Sequence, residues 1–442
     1  MQDIGVGLLG FGTVGAGVVD ALARNGELLA SRAGVRPVLR RIADLDLDTD
    51  RGVAVDRSIL TRDAQAVVDD PAIPVIVELI GGTGAARALI LRALERGKSV
   101  VTANKALLAE HGREIFDATR AGGADLYFEA SVGGGIPIIR ALRQGLVANR
   151  IRRVCGIVNG TCNYILTRME EEGLPFDTVL AEAQRNGFAE ADPGLDIDGR
   201  DTAHKAVILA GLAAGTAVPI ESVRVEGIRG VAAIDIAFAA ELGYRLKLLA
   251  VIDHDEGTVG VRVNPALVPH GHPIASVGGV FNAILVSGDI VGDTLYYGRG
   301  AGRYPTASAV LGDVAEAARR LAAGDRGGPL GFEGGAAAAA DPGAATARYY
   351  LRLSLRDRPG ILAKVAHVLG AHEISIASVL QKEAAAGAFV PVLVLTHHAQ
   401  VSRVEAARRV IDELTCVGAP TVAYRIEDFA APAAGGKGEQ RA

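Results

Sequence analysis

The stretch that most limits how this chain can fold is its beginning. An apolar run at residues 4–9 leads directly into Gly10-Phe11-Gly12-Thr13-Val14-Gly15, and apolar residues then recur at helical spacing at Val14, Val18, Val19, Leu22 and Leu28. Strand, glycine turn and helix in immediate succession describe the first step of a doubly wound α/β unit. In such a unit one glycine makes the tight turn, one lets the backbone approach a pyrophosphate, and one allows the helix to pack closely. The unpaired N–H groups at the helix start attract the phosphates. The alternative is an ordinary tight strand-to-helix turn.

The alternation continues. Residues 38–43 read as a second strand ending on Asp44, and residues 75–80 and 99–102 read as further buried strands, each followed by a turn and a helix. A parallel sheet with right-handed crossovers follows. At the end of the second strand the Asp44 carboxylate is positioned to hydrogen-bond a ribose 2′-OH and to repel a 2′-phosphate. The neighbouring Arg40, Arg41 and Arg51 would instead receive such a phosphate. NAD and NADP both remain open.

At 442 residues the chain is long enough for about three domains. The first is expected at 1–137, and from about residue 138 a mixed α/β substrate domain follows. Glycine, alanine and proline then dominate, with five successive alanines at 336–340, and 326–346 reads as a linker. Beyond it, residues 349–355 alternate, 360–369 are amphipathic and 389–395 are strand-like, a β-α-β opening to a third domain at 347–428. Residues 429–442 read as a disordered tail. Of the 56 glycines, those at 10, 12, 15, 133–135, 187 and 302 are candidate ligand-facing turns, whereas those at 324–343 and 435–438 belong to linker and tail.

Charge and cysteine content exclude several classes. With 46 basic and 51 acidic residues the net charge is −5, and neither sign gathers in a block, so nucleic acid and membrane are poor partners. No apolar run approaches the roughly 20 residues that span a bilayer, and no basic n-region precedes the first strand. Three cysteines, Cys155, Cys162 and Cys416, are too few and too irregular for a disulfide framework or a closed zinc site. A cytoplasmic protein is expected.

Two lysines stand out chemically. Lys105 follows Thr102-Ala103-Asn104 where a strand ends and a helix starts, at the sheet edge where open α/β sheets bind ligands. Its bland reading is a solvated helix-start lysine. Lys205 lies four residues after Asp201, so the two share a helix face and can pair. It enters the apolar run Ala206-Val207-Ile208-Leu209-Ala210, where desolvation favours the neutral amine that accepts a proton. Its bland reading is a snorkelling surface lysine. His204 points about 100° away from Lys205 and reads as structural. Cys155 and Cys162 would be the nucleophiles of an aldehyde-oxidising enzyme, but small apolar neighbours favour core packing.

In order along the chain, the glycine fingerprint, Thr102-Ala103-Asn104-Lys105, Glu129-Ala130-Ser131-Val132-Gly133-Gly134-Gly135-Ile136-Pro137, Asn159-Gly160-Thr161-Cys162-Asn163-Tyr164-Ile165-Leu166, the turn at 187–193 and the stretch from Asp196 to Lys205 resemble the homoserine dehydrogenases over roughly residues 1–325. Asp357-Arg358-Pro359-Gly360-Ile361-Leu362 resembles the opening of an ACT domain, a small ligand-sensing module. The resemblance implies a Rossmann-type doubly wound sheet over 1–137 completed by 303–325, a mixed α/β substrate-binding and dimerisation domain over 138–302 and a ferredoxin-like ACT domain over 347–428. It implies interconversion of L-homoserine and L-aspartate 4-semialdehyde with NAD or NADP, on the route to threonine, methionine and isoleucine.

Carried over residue by residue, Lys205 would be the general acid/base, Lys105 would lie near substrate and nicotinamide, and Glu190 and Asp201 would hold the substrate's amino group. The cofactor would meet Gly10, Phe11, Gly12, Thr13, Val14, Gly15, Asp44, Thr83, Lys105, Gly187 and Gly302. A monovalent metal ion, sodium in the family, would be held by Glu129, Val132, Gly134 and Ile136. L-Threonine as effector and a homodimer or homotetramer complete the expectation. The competing readings are a semialdehyde dehydrogenase with a cysteine nucleophile and a non-catalytic amino-acid and nucleotide sensor.

Overall fold

A computed structural model describes residues 1–255, 257–328, 332, 338–382 and 388–429. Residues 329–331 and 333–337 of the expected linker and 430–442 of the expected tail lie outside the described residues. The chain divides into two compact units, one of Met1–Gly230, Leu248–Asn264 and Val277–Ala340, the other of Val231–Lys247, Pro265–Ser276 and Asp341–Ala442.

The first unit opens with β1 (Asp3–Leu9), α1 (Thr13–Ala33), β2 (Arg36–Ala43), β3 (Leu60–Thr61), α2 (Ala64–Asp69), β4 (Val75–Glu78), α3 (Ala85–Glu95), β5 (Ser99–Thr102), α4 (Lys105–Ala121) and β6 (Leu126–Tyr127). Its six strands pair in parallel in the order β3-β2-β1-β4-β5-β6, the doubly wound sheet expected from the sequence. Every residue of β4 and β5 is buried, as a parallel sheet covered on both faces requires. Strand order reverses between β1 and β4, so the loops leaving their carboxyl ends open onto one crevice.

Two glycines of the first loop are dictated by space. Gly10 has φ +98°, and a Cβ there would lie 2.7 Å from the Leu79 carbonyl carbon; a Cβ on Gly15 would lie 2.2 Å from the Gly10 oxygen. Around Gly12, by contrast, nothing lies within 4 Å of a would-be Cβ. That opening is where the backbone can be approached from outside.

The chain continues through α5 (Ile138–Arg140), β7 (Ile151–Ile157), α6 (Gly160–Glu172), α7 (Phe176–Arg185), α8 (Gly194–Ile197), α9 (Arg200–Ala214), β8 (Arg224–Val225), α10 (Ala233–Glu241), β9 (Tyr244–Asp255), β10 (Thr258–Pro269), β11 (Phe281–Gly288), β12 (Gly292–Arg299), α11 (Arg303–Ala322) and β13 (Ala338–Ala339). In the first unit β12, β11, β7 and β9 form an antiparallel sheet in that order. Helix α11 then returns to the parallel layer. Its Val310, Val314 and Ala317 join the core built by Ile4, Val6, Leu8 and Val19, and the Arg303 carbonyl lies 2.7 Å from where a Cβ on Gly17 of α1 would be.

The second unit holds β14 (Thr346–Arg356), α12 (Ile361–Ala371), β15 (Ile376–Gln381), β16 (Phe389–Thr396), β17 (Ala399–Gln400), α13 (Val401–Asp412) and β18 (Val417–Ile426). Four strands pair antiparallel as β18-β14-β16-β15, a ferredoxin-like β-α-β-β-α-β fold. Strand β15 was not visible in the sequence. It lies at the sheet edge, mostly exposed, and carries no alternating apolar pattern. Tyr349, Leu351, Leu353 and Leu355 of β14 face Val365, Leu369, Val404 and Ile411 of the two helices. The next residues over, Tyr350 and Arg352, point to the other face and meet Asp235 of α10: the guanidinium donates at 2.5 Å and 2.9 Å, and the Tyr350 hydroxyl donates at 3.0 Å.

Candidate active site

Helix α9 sets the centre of the site. Gly199 precedes it in the left-handed region, and ten of its residues are buried, Asp201 and Lys205 among them. The helical repeat stacks these two side chains, and the Lys205 ammonium donates to Asp201 Oδ2 at 2.6 Å and to the Val158 carbonyl at 2.7 Å. One of the three ammonium N–H groups remains for a ligand. Lys105, at the start of α4, brings its Nζ within 3.2 Å of Asp201 Oδ1. Asn104 caps that helix, its side-chain oxygen accepting the Leu107 N–H at 3.1 Å, so the lysine is presented at the carboxyl edge of the parallel sheet.

The carboxylate between the two lysines is held ionised. Burial pushes Asp201 up, but the charges of Lys205 and Lys105, with the hydrogen bonds from Lys205 and Asn159, outweigh it and hold the carboxyl well below the usual range. Asn159 donates to Asp201 Oδ2 at 2.9 Å and to Asp196 Oδ1 at 2.7 Å, while its oxygen caps α6 through the Cys162 N–H at 2.8 Å. Asp196 is pushed up, chiefly by burial.

Asn159 is a polar residue whose role sequence reading missed. Another is Glu78, fully buried at the end of β4. It accepts the Ile80 and Gly81 N–H groups, both at 2.8 Å, and the Thr102 hydroxyl at 2.7 Å. It ties the loop holding Thr83 to the strand that leads to Lys105. A carboxylate closing a buried strand just before Gly81-Gly82 was the available signal.

In the glycine loop, Asp44 lies beside Phe11 as the sequence suggests, but its carboxylate already works: Oδ2 accepts the Phe11 N–H at 2.5 Å and Oδ1 the Asp46 N–H at 2.9 Å. Each oxygen keeps a lone pair for a hydroxyl donor. Arg51 is bound to Asp46 at 2.9 Å, Arg41 reaches the Ser58 carbonyl at 3.4 Å, and Arg40 is exposed. Thr13, Val14 and Gly15 open α1, whose N-cap Gly12 offers no side-chain partner to their N–H groups.

Gly302 caps α11 with φ +125°. Gly187 and Glu190 lie on the exposed turn after α7. The Glu190 carboxylate makes no hydrogen bond or ion pair among the described residues.

The loop after β6 forms a second polar centre. The buried Glu129 carboxylate accepts the Ile139 and Arg140 N–H groups at 2.9 Å and 2.8 Å, and the Glu129 N–H donates to Asp313 at 2.8 Å. Burial raises both acids, Asp313 to about 7, with the Glu129 charge adding to the rise. Val132 and Gly134 are buried, and among the described residues no backbone N–H donates to their carbonyls. The Ile136 carbonyl accepts the Ile138 N–H at 2.8 Å.

Neither Cys155 nor Cys162 has the setting of a nucleophile. Both are fully buried, and burial, followed by the charges of Asp196 and Asp201, keeps the Cys162 thiol well above its usual range while it donates to the Asp196 carbonyl at 3.2 Å. His204 Nε2 lies 3.5 Å from Glu110, and burial lowers its pKa.

Residues 10–129 match the family model "Homoserine dehydrogenase, NAD binding domain", residues 137–315 match "Homoserine dehydrogenase", and residues 349–414 match "ACT domain". The class is thereby defined as an NAD(P)-dependent oxidoreductase that carries an ACT domain. The chain is 43% identical to the homoserine dehydrogenase of Pseudomonas aeruginosa, over 97% of this chain and 100% of that one. The crystal structure of a homoserine dehydrogenase from Thiobacillus denitrificans superposes with a TM-score of 0.92 at 45% identity, covering 97% of this chain and 99% of that one. A hyperthermophilic archaeal homoserine dehydrogenase solved in complex with NADPH matches 72% of this chain and 98% of its own, with a TM-score of 0.61 and 28% identity. The chain belongs to the homoserine dehydrogenase family.

Proposed function

We propose that the chain interconverts L-homoserine and L-aspartate 4-semialdehyde, with Lys205 exchanging the proton at the C4 oxygen. The observation that carries this reading is the Lys105–Asp201–Lys205 cluster, two ammonium groups on one buried carboxylate at the carboxyl edge of the parallel sheet. In the reducing direction the Lys205 ammonium gives a proton to the oxygen as a hydride reaches C4; in the oxidising direction the neutral amine takes the hydroxyl proton as a hydride leaves C4. When bound, NAD(P) supplies the hydride acceptor or donor. Asp201 orients Lys205, and Lys105 holds the oxygen-bearing end of the substrate. Glu190 takes the substrate's amino group from the exposed turn.

In this reading the N–H groups of Thr13, Val14 and Gly15, beside the open space at Gly12, would hold the cofactor's pyrophosphate. The Asp44 carboxylate would receive the ribose hydroxyls, and Thr83 and Gly302 would serve the nicotinamide end. Absorbance of the reduced nicotinamide, followed with L-homoserine and each cofactor in turn, tests the reaction; no turnover with either cofactor overturns it. Asp44→Ala is expected to relax a preference for NAD over NADP, as the ratio of kcat/KM values with the two cofactors reports. An unchanged ratio assigns selectivity to the arginines instead.

A monovalent cation, sodium by family resemblance, fits the second polar centre. Glu129 and Asp313 are both buried there, the Val132 and Gly134 carbonyls of the same loop take no backbone donor among the described residues, and hard oxygen ligands suit such an ion. Glu129, Val132, Gly134 and Ile136 would hold it, and its charge would stabilise the ionised acids. Replacing sodium by N-methylglucamine at constant ionic strength is expected to lower Tm, and Glu129→Gln to abolish the difference. Equal Tm values in the two salts would remove the ion from this loop.

The ACT domain is read as the receptor for L-threonine, acting as a feedback inhibitor. Titrating L-threonine into the assay tests this directly. Turnover that does not change with threonine concentration overturns it.

A further inference from the structure

Phe332 lies on the segment that runs from α11 towards β14, and it is buried. Its ring stacks on Phe116 of α4, with centroids 4.2 Å apart at 20°, and meets Phe128 at 6.2 Å. The far edge of the ring rests on α9: a Cβ added to Gly211 would fall 2.2 Å from Phe332 Cε1. A cavity of about 320 Å³, bordered by Gly112, Ile208 and Val218, adjoins the ring.

The two helices touched by this ring are those that carry Lys105 and Lys205. Lys105 pairs with Asp201, Glu110 with His204, and Phe116 reaches Gly211 through Phe332. These pairings follow one another in the same direction along both helices. Helices α4 and α9 therefore run side by side, with their N-terminal ends at the lysine cluster and the Phe332 ring as a spacer at the other end.

The helices differ in how they transmit a displacement. Backbone geometry leaves the helical region at His111, so α4 is interrupted between Lys105 and Phe116. Helix α9 is continuous from Lys205 to Gly211, about 9 Å at 1.5 Å per residue. A continuous helix passes a shift at Gly211 on to Lys205 more directly than the interrupted α4 passes one at Phe116 on to Lys105. We propose that Phe332 is a positioning residue for the reaction: its ring sets α9 against α4 and so holds Lys205 at its working distance from Lys105. The inference rests on the assignment of Lys205 as the proton-exchanging group.

The test uses full-length protein with L-homoserine and the cofactor it turns over. Phe332→Ala is expected to lower kcat about tenfold or more, since misplacement by ~1 Å can cost a hundredfold, and to displace the pH profile of kcat while the cofactor KM stays within about twofold. Phe332→Leu, which refills the space, recovers most of the loss. Gly211→Ala raises helix propensity but drives the ring out, and it is expected to act in the same direction. If Phe332→Ala does not fold, Phe332→Leu and Gly211→Ala decide. An unmoved pH profile, with kcat either unchanged or falling only in step with the folded fraction, overturns the inference. Wild-type protein that fails to oxidise homoserine overturns the functional reading as well; active wild type with indifferent variants overturns the positioning role alone.

Discussion

Replacing Lys205 by alanine is expected to lower kcat by roughly 10²- to 10⁴-fold, the share usually supplied by a positioned acid/base, while cofactor binding changes little. The geometry explains the size. The ammonium is fastened to Asp201 at 2.6 Å and to the Val158 carbonyl at 2.7 Å, so its remaining N–H has a fixed direction, and the side chain is too buried for bulk water to replace it at the same point. Lys205→Arg should be no better, because a guanidinium keeps its proton and its fork is the wrong shape for the pocket. Steady-state kinetics with both variants give the answer. A loss below tenfold would remove Lys205 from proton transfer and turn attention to Lys105.

The second large effect is on stability. Asp235 is fully buried and takes two hydrogen bonds from Arg352 and one from Tyr350, so Arg352→Ala leaves a buried carboxylate without its counter-ion. Breaking one side of such a pair costs about 3–5 kcal/mol. Calorimetry should show the transition of the second unit falling by more than about 10 °C. Replacing both partners with apolar residues, Asp235→Leu with Arg352→Met, should recover most of that loss, because the cost lies in the orphaned charge. A single variant within about 1 kcal/mol of wild type would mean that water solvates the carboxylate and that the pair is not sealed.

The site was legible in the sequence where its chemistry is local. Asp201 and Lys205 stand four apart on an apolar helix, and helical geometry alone makes them neighbours. The glycine loop was legible because Gly10 and Gly15 occupy positions where a side chain would strike the backbone. Lys105 was singled out by its place at a strand end, but its partner was not, since Asp201 meets it only once α4 packs on α9. Glu78 and Asn159 escaped notice for a related reason. Their side chains serve backbone N–H groups and other side chains brought close by folding, and such partners leave no spacing to read.

Some expectations were sharpened rather than replaced. Asp44 lies beside the glycine loop, where its carboxylate braces the Phe11 and Asp46 N–H groups. The stretch read as a linker contains a buried phenylalanine and the short strand β13, because an isolated aromatic in a run of small residues has no period to betray what it packs against. The thiols that supported a rival reading are buried, with Cys162 held protonated.

By itself the sequence determined the strand-helix alternation of the doubly wound sheet, the glycine turn, the β-α-β opening of the third domain and the Asp201–Lys205 pair, since each depends on residues close together along the chain. Only the tertiary structure decided that Lys105 shares the same carboxylate, that Asn159 and Glu78 lock the surrounding loops, and that Phe332 spaces the two helices. Those relations join residues far apart in the chain, and packing alone sets the distances between them.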